Sequence, residues 1–287
     1  MIKFRTEIEP SPLHPKIDHT RRGFSVGSCF AASIAGRLAR YKFPVVSNPT
    51  GVLFNPFSIA DLLESTPPEP AAAALTAADY VLITFGTAWV YEENGRVVAN
   101  CEKRPAHLFT RRRLGVAEIT ERFDGLMQGA LRNKQAIFTV SPIRHLKDGF
   151  EENSLSKAVL RLAIADIVEK YPSRAHYFPA FETLTDDLRD YRFYGPDLAH
   201  PSAEAVEYIW EKFAAAAFEP ETRDLLPQIE KILRATEHRP FESKAGEHTG
   251  EYTVEHAAFR RTMLDRTRDL AARHPEVDLS AEVEFFY

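Results

Sequence analysis

The chain has 287 residues, 44% hydrophobic and 27% charged, with a formal net charge of −5 at pH 7, an ordinary balance for a globular chain with a sizeable core. With a pI near 6.1, it offers no general reason to expect nucleic acid or an anionic membrane as partner, and no apolar run approaches the ~20 residues of a membrane-spanning helix. Its two cysteines, Cys29 and Cys101, are too few for a disulfide framework and point to a reducing, cytoplasmic setting, and no Cys or His pair has zinc spacing.

Met1 to Glu7 lacks the apolar stretch of a secretory signal, and the Pro-rich lead-in reaches residue 22 without periodicity. Gly23 to Val26 is the first expected strand, followed by a helix over about Ala31 to Tyr41 with Ile34, Leu38 and Tyr41 on one face. Phe43 to Val46 is a second strand, entering the turn-rich loop Ser47 to Gly51. Asn55-Pro56 starts a helix through Ile59, Leu62 and Leu63, with proline at a permitted first-turn position. Thr66 to Ala78 reads as an exposed connector. Tyr80 to Phe85 is the clearest buried strand, and Trp89 to Ala99 reads as a hairpin around Asn94-Gly95. A helix over Val116 to Arg132 precedes the buried strand Ala136 to Val140. The next helix, Ser154 to Lys170, has an expected apolar face through Leu155, Val159, Leu162, Ala163 and Ile167. His176 to Phe178 is a fifth short strand, and Ser202 caps a helix with Val206, Ile209 and Phe213 on its apolar face.

Short apolar strands alternating with helices predict an α/β fold: a mostly parallel five-stranded sheet between two helical layers, over residues 1–218. Residues 219–287 are expected to form a helical C-terminal extension packed on that core. Two helices, Leu225 to Ala235 and Glu255 to Ala272, are separated by Pro240, Gly246 and Gly250, and an apolar tail follows at Val283 to Tyr287. The extension also offers a surface through which two copies could associate.

Within this frame Phe24-Ser25-Val26-Gly27-Ser28-Cys29-Phe30 reads as strand, tight turn and helix start. A side chain placed there meets backbone N–H groups and the positive end of a helix dipole, a setting that activates nucleophiles and stabilises oxyanions. Asp197-Leu198-Ala199-His200-Pro201 offers a base and, three residues earlier, an acid to orient it. Cys29, Gly51, Thr87 and Ser141 each follow an expected strand, at the sheet edge where α/β sites lie. Arg144 and His145, after the fourth strand, are candidates for substrate binding. His145 is the rival to His200 as base. Lys103, Arg104, His107 and Arg111 to Arg113 form a basic cluster suited to an anionic donor or carrier face, or simply to solvent. Cys101 is expected to be structural, and Glu152-Asn153 to cap a helix.

These blocks resemble the SGNH, or GDSL-type, hydrolase superfamily and, within it, the GSCFA family named for the motif at residues 27 to 31. The resemblance spans about residues 20 to 215 and implies a flavodoxin-like three-layer αβα fold. Gly27-Ser28-Cys29-Phe30 falls on the superfamily's Gly-Asp-Ser-Leu, so Cys29 takes the nucleophile position, with Ser28 beside it as the alternative. Asp197 to Pro201 matches the Asp-x-x-His-Pro block, and Gly51 matches an oxyanion glycine. Gly86-Thr87-Ala88-Trp89 falls on Gly-x-Asn-Asp, where Ala88 replaces the oxyanion asparagine. Thr87 or the Trp89 indole could substitute.

The resemblance implies acyl transfer through Cys29, His200 and Asp197, without cofactor or metal. Its substrates would be small-molecule or glycan esters or thioesters, often of small acyl groups such as acetyl. The acceptor would be water or a hydroxyl, and an acyl donor fits the same scheme. The contrasting expectation is a catalytically weak scaffold that binds a carbohydrate or acylated ligand.

Overall fold

The computed structural model describes residues 5–65, 67–99, 101–237 and 254–287. Met1 to Phe4, Thr66, and the breakers Pro240, Gly246 and Gly250 lie outside the described residues. The strands are β1 (Gly23–Gly27), β2 (Val45–Ser47), β3 (Tyr80–Phe85), β4 (Trp89–Glu93), β5 (Arg96–Val98), β6 (Thr110–Arg113), β7 (Gln135–Val140) and β8 (Ala175–Tyr177). The main helices are α1 (Cys29–Arg40), α2 (Pro56–Glu64), α3 (Ala71–Ala77), α4 (Val116–Gln128) and α5 (Phe150–Lys170). Further on come α6 (Ala180–Glu182), which runs into a π-helical turn over Thr183–Leu188, and then α7 (Ala203–Ala217), α8 (Pro220–Glu237), α9 (Val254–Arg273) and α10 (Ser280–Phe286).

Five strands form the central sheet in the order β2-β1-β3-β7-β8. Every pairing in it is parallel, tightening the expected "mostly parallel" arrangement. Side chains alternate between its faces. Tyr80, Leu82 and Ile137 join the apolar cluster containing α1, α7 and α8. Phe24, Val26, Val81, Ile83, Phe85 and Phe138 join the opposite cluster, with α2, α4 and α5. The result is a three-layer αβα sandwich with both sheet faces covered.

Local chemistry explains several boundaries. Asn55 Oδ1 accepts the Ser58 amide at 2.9 Å, with Pro56 in the first turn of α2. Ser202 Oγ accepts the Ala205 amide at the start of α7. At the tip of the β4–β5 hairpin, Asn94 and Gly95 both have positive φ, as a tight two-residue turn demands.

Two expectations are corrected. The connector before β3 contains the helix α3. Long α5 presents Ser156, Lys157, Leu160, Ala163, Ile164 and Ile167 inward, while Leu155 and Leu162 face solvent, so its buried face is rotated from the expected one. The arginine run Arg111 to Arg113 of the basic cluster forms β6, the third strand of an antiparallel sheet ordered β5-β4-β6.

The C-terminal helices share the apolar cluster of α1 and α7 through Leu225, Ile229, Ile232, Met263, Leu270 and Phe286. Arg40 pairs with Glu230 and Glu237, and Lys42 with Glu282. Among the described residues no helix is long and apolar enough to cross a membrane.

Candidate active site

Strand β1 ends at Gly27, whose φ of +140° and contact with the neighbouring strand leave no room for a side chain: a Cβ there would sit 2.2 Å from the Thr84 carbonyl oxygen. The Gly27 amide donates to Asn48 Oδ1 and the Ser28 amide to Thr84 O. The chain thus turns sharply at the carboxyl edge of the sheet and enters α1 at Cys29. As the first residue of the helix, Cys29 has an amide with no carbonyl one turn back, at the positive end of the helix dipole. Ser28 is buried and its Oγ has no hydrogen-bond partner among the described residues.

Ser28 and Cys29 open onto a cavity of 650 Å³ that His200 also lines. His200 Nδ1 lies 2.5 Å from Asp197 Oδ2. Asp197 Oδ1 accepts the amides of His200 and Ala199, each at 3.0 Å. Leu198, at φ +55°, folds the loop back so that one carboxylate serves two residues ahead of it. These bonds, the His200 amide foremost, draw the Asp197 carboxyl down to about 2, so it is ionised at any ordinary pH. A carboxylate at Nδ1 selects the tautomer with the proton on Nδ1 and a free lone pair on Nε2.

Thr87 and Trp89 line the same cavity. The Trp89 amide donates to Thr87 Oγ1 at 3.1 Å and the Ala88 amide to Ser156 Oγ at 2.8 Å, while the two hydroxyls lie 3.1 Å apart. Ser156, from α5, is 2% exposed, and either of the two hydroxyls can donate to the other. With Ser156 as the donor, the Thr87 hydroxyl hydrogen is free to donate elsewhere. The Trp89 indole Nε1 is enclosed and has no partner among the described residues, and the guanidinium of Arg111 covers the ring at 3.8 Å from its centroid.

Next to Ser156, Lys157 reaches under the sheet edge. Its Nζ donates to Gly86 O at 2.7 Å and Ser141 O at 2.8 Å, tying the ends of β3 and β7 together. Burial pulls its ammonium down to about 7. Burial first, and the Lys157 charge second, hold the His145 imidazole down at about 4. His145 lines the cavity as a neutral ring, with its amide bonded to Asn153 Oδ1. Asn153 therefore positions a cavity loop instead of merely capping a helix. Arg144 also lines the cavity, its amide bonded to Ala199 O and its guanidinium stacked 3.8 Å from the Tyr194 ring.

Gly51 is the clear departure. Its amide donates to Asn48 O at 2.9 Å and the residue lies outside the cavity, so the donor expected from it is spent on closing its own turn. Cys101, expected to be structural, lines the cavity that holds Cys29. The basic cluster is largely paired: Arg104 with Glu93, Arg111 with Asp148, and Arg112 with Glu92 and Glu118. That pairing weakens the case for an anionic donor. Ser156 and Lys157 went unread in the sequence, although Lys157 interrupts the apolar spacing of Leu160, Ile164 and Ile167. Among the described residues no three His, Cys, Asp or Glu side chains gather to hold a metal ion.

Fold and site together define an α/β protein with Ser28 and Cys29 on a strand–turn–helix and an Asp–His pair at one sheet edge. A model of the GSCFA family matches residues 22–69 and 66–213, from the start of β1 almost to the end of α7, and the chain belongs to that family. None of the curated proteins matches it. Among solved structures, an acetylxylan esterase from Geobacillus stearothermophilus is similar at 14% identity and a TM-score of 0.45, covering 71% of this chain and 97% of that one. A GDSL-like lipase from Bacteroides thetaiotaomicron is similar at 10% identity and a TM-score of 0.42, covering 76% and 92%.

Proposed function

We propose that this protein is an SGNH-type acyl hydrolase or O-acyltransferase acting on ester or thioester bonds, with Cys29 as nucleophile, His200 as general base and Asp197 as orienter. One observation carries the reading. A histidine locked to a carboxylate at Nδ1 lines the same cavity as a thiol at a helix N-terminus. A binding module has no use for that pairing.

In this scheme His200 Nε2 takes the Cys29 proton as the thiolate attacks the acyl carbonyl carbon. The tetrahedral oxyanion is met by the Cys29 amide and the Thr87 hydroxyl, the latter replacing the family-pattern asparagine lost at Ala88. His200 returns its proton to the departing alkoxide or thiolate, leaving a thioester on Cys29. Water, or an acceptor hydroxyl, then gives its proton to His200 and attacks that thioester. The acid or new ester leaves, and the thiol is restored.

Ser28 remains a second candidate nucleophile, because its buried Oγ has no partner among the described residues and it lines the cavity. Labelling with iodoacetamide and a fluorophosphonate, followed by peptide mapping, separates the two. Alkylation at Cys29 that blocks ester turnover is the expected result. Fluorophosphonate on Ser28 transfers the role to the serine, and no labelling above a denatured control removes the enzyme reading.

A further inference from the structure

The cavity that Cys29 opens onto is much larger than an acetyl group needs. At 650 Å³ it has room for about twenty groups the size of a water molecule, each about 30 Å³. Much of its wall is apolar: Phe54, Trp89, Tyr91, Val98, Ile143 and Leu146.

On this wall Ser28 Oγ and Trp89 Nε1 have no partner among the described residues, while several other polar side chains are engaged. Asn55 donates to and accepts from Ser58. Arg111 is bonded to Asp148 at 2.5 Å, and Arg144 lies on Tyr194. A sugar ring favours an open aromatic face, and Arg111 covers one face of Trp89. A chain of methylenes needs no such face and gains from each apolar contact.

Building on the acyl-transfer reading, we infer that this cavity is an acyl site for a medium-length aliphatic chain, walled by Tyr91 and Val98 of the small antiparallel sheet. The sheet β5-β4-β6 is then the specificity element of the enzyme. The preferred substrates are esters or thioesters of such chains, in place of acetylated sugars.

The test is a series of p-nitrophenyl esters from acetyl through butyryl and hexanoyl to octanoyl. The expected kcat/KM rises by about fourfold for each added methylene. Val98→Trp, which fills the wall, should lower the octanoyl-to-acetyl ratio about tenfold or more. A series that peaks at acetyl, or a ratio unmoved by Val98→Trp, overturns the acyl site and leaves the hydrolase standing. A second measurement needs no turnover: calorimetric titration with octanoate and with acetate. Tighter octanoate binding supports the site even if no ester is cleaved, in which case only the hydrolase reading falls. Octanoate binding no tighter than acetate overturns the site.

Discussion

His200 presents both its ring and its main-chain amide to the same carboxylate, that of Asp197: Nδ1 to Oδ2 at 2.5 Å and the amide N–H to Oδ1 at 3.0 Å. The backbone bonds hold Asp197 in place independently of the imidazole. The acid therefore acts as a fixed socket into which the ring is seated, with Nε2 left available.

Asp197→Asn tests that socket. The amide can still fill the space and accept the backbone N–H groups, but it can also donate to Nδ1 and select the wrong tautomer. The expected loss in kcat is about 10²–10⁴-fold with the fold intact by circular dichroism. A variant within about twofold of wild type would remove Asp197 from the mechanism.

Thr87 carries a sharper expectation. If its free hydroxyl hydrogen meets the oxyanion, Thr87→Val should lower kcat by about 10²–10³-fold with KM little changed. Thr87→Ser, which keeps the hydroxyl, should restore most of it. Equal losses in both variants would assign Thr87 a packing role only.

Lys157 couples the site to pH through stability. Its ammonium titrates near 7 when folded, against 10.5 when free. Below pH 7 the group is charged in both states and folding bears the full cost of burying it. Between 7 and 10.5 the unfolded chain holds a proton that the folded chain has released, so stability rises with pH. Lys157→Met removes this slope and leaves Gly86 O and Ser141 O without their donor. Urea unfolding at about pH 6 and about pH 9.5 should show wild type gaining on the variant at the higher pH. Parallel behaviour would refute the buried-charge account.

Gly27→Ala should destabilise the protein by about 2 kcal/mol or more. The new methyl meets the Thr84 carbonyl in a backbone conformation that only glycine adopts readily. Thermal unfolding measures the loss, and an unchanged midpoint would contradict the geometry of the turn.

The sheet and the Asp–His loop were legible because their signals are local: short apolar runs, turn residues, a capping serine. What stayed hidden depends on partners distant in sequence. Strand β6 carries three arginines in a row, and Arg112 finds its place between Glu92 of β4 and Glu118 of α4. The buried face of α5 was misjudged because Ser156 and Lys157 look like solvent residues until Ala88 N–H, Gly86 O and Ser141 O are seen to need them. Gly51 has the right residue type in the right loop, but whether its amide faces the site is decided by Asn48 O.

The sheet order carries one last implication. Cys29 opens the first helix of the core and His200 follows the last strand of the sheet, with β3 and β7 laid down between them. During synthesis the thiol therefore leaves the ribosome long before the base that would arm it. Under this assignment the nascent chain stays chemically quiet through most of translation and acquires its activity only as the C-terminal part of the core docks.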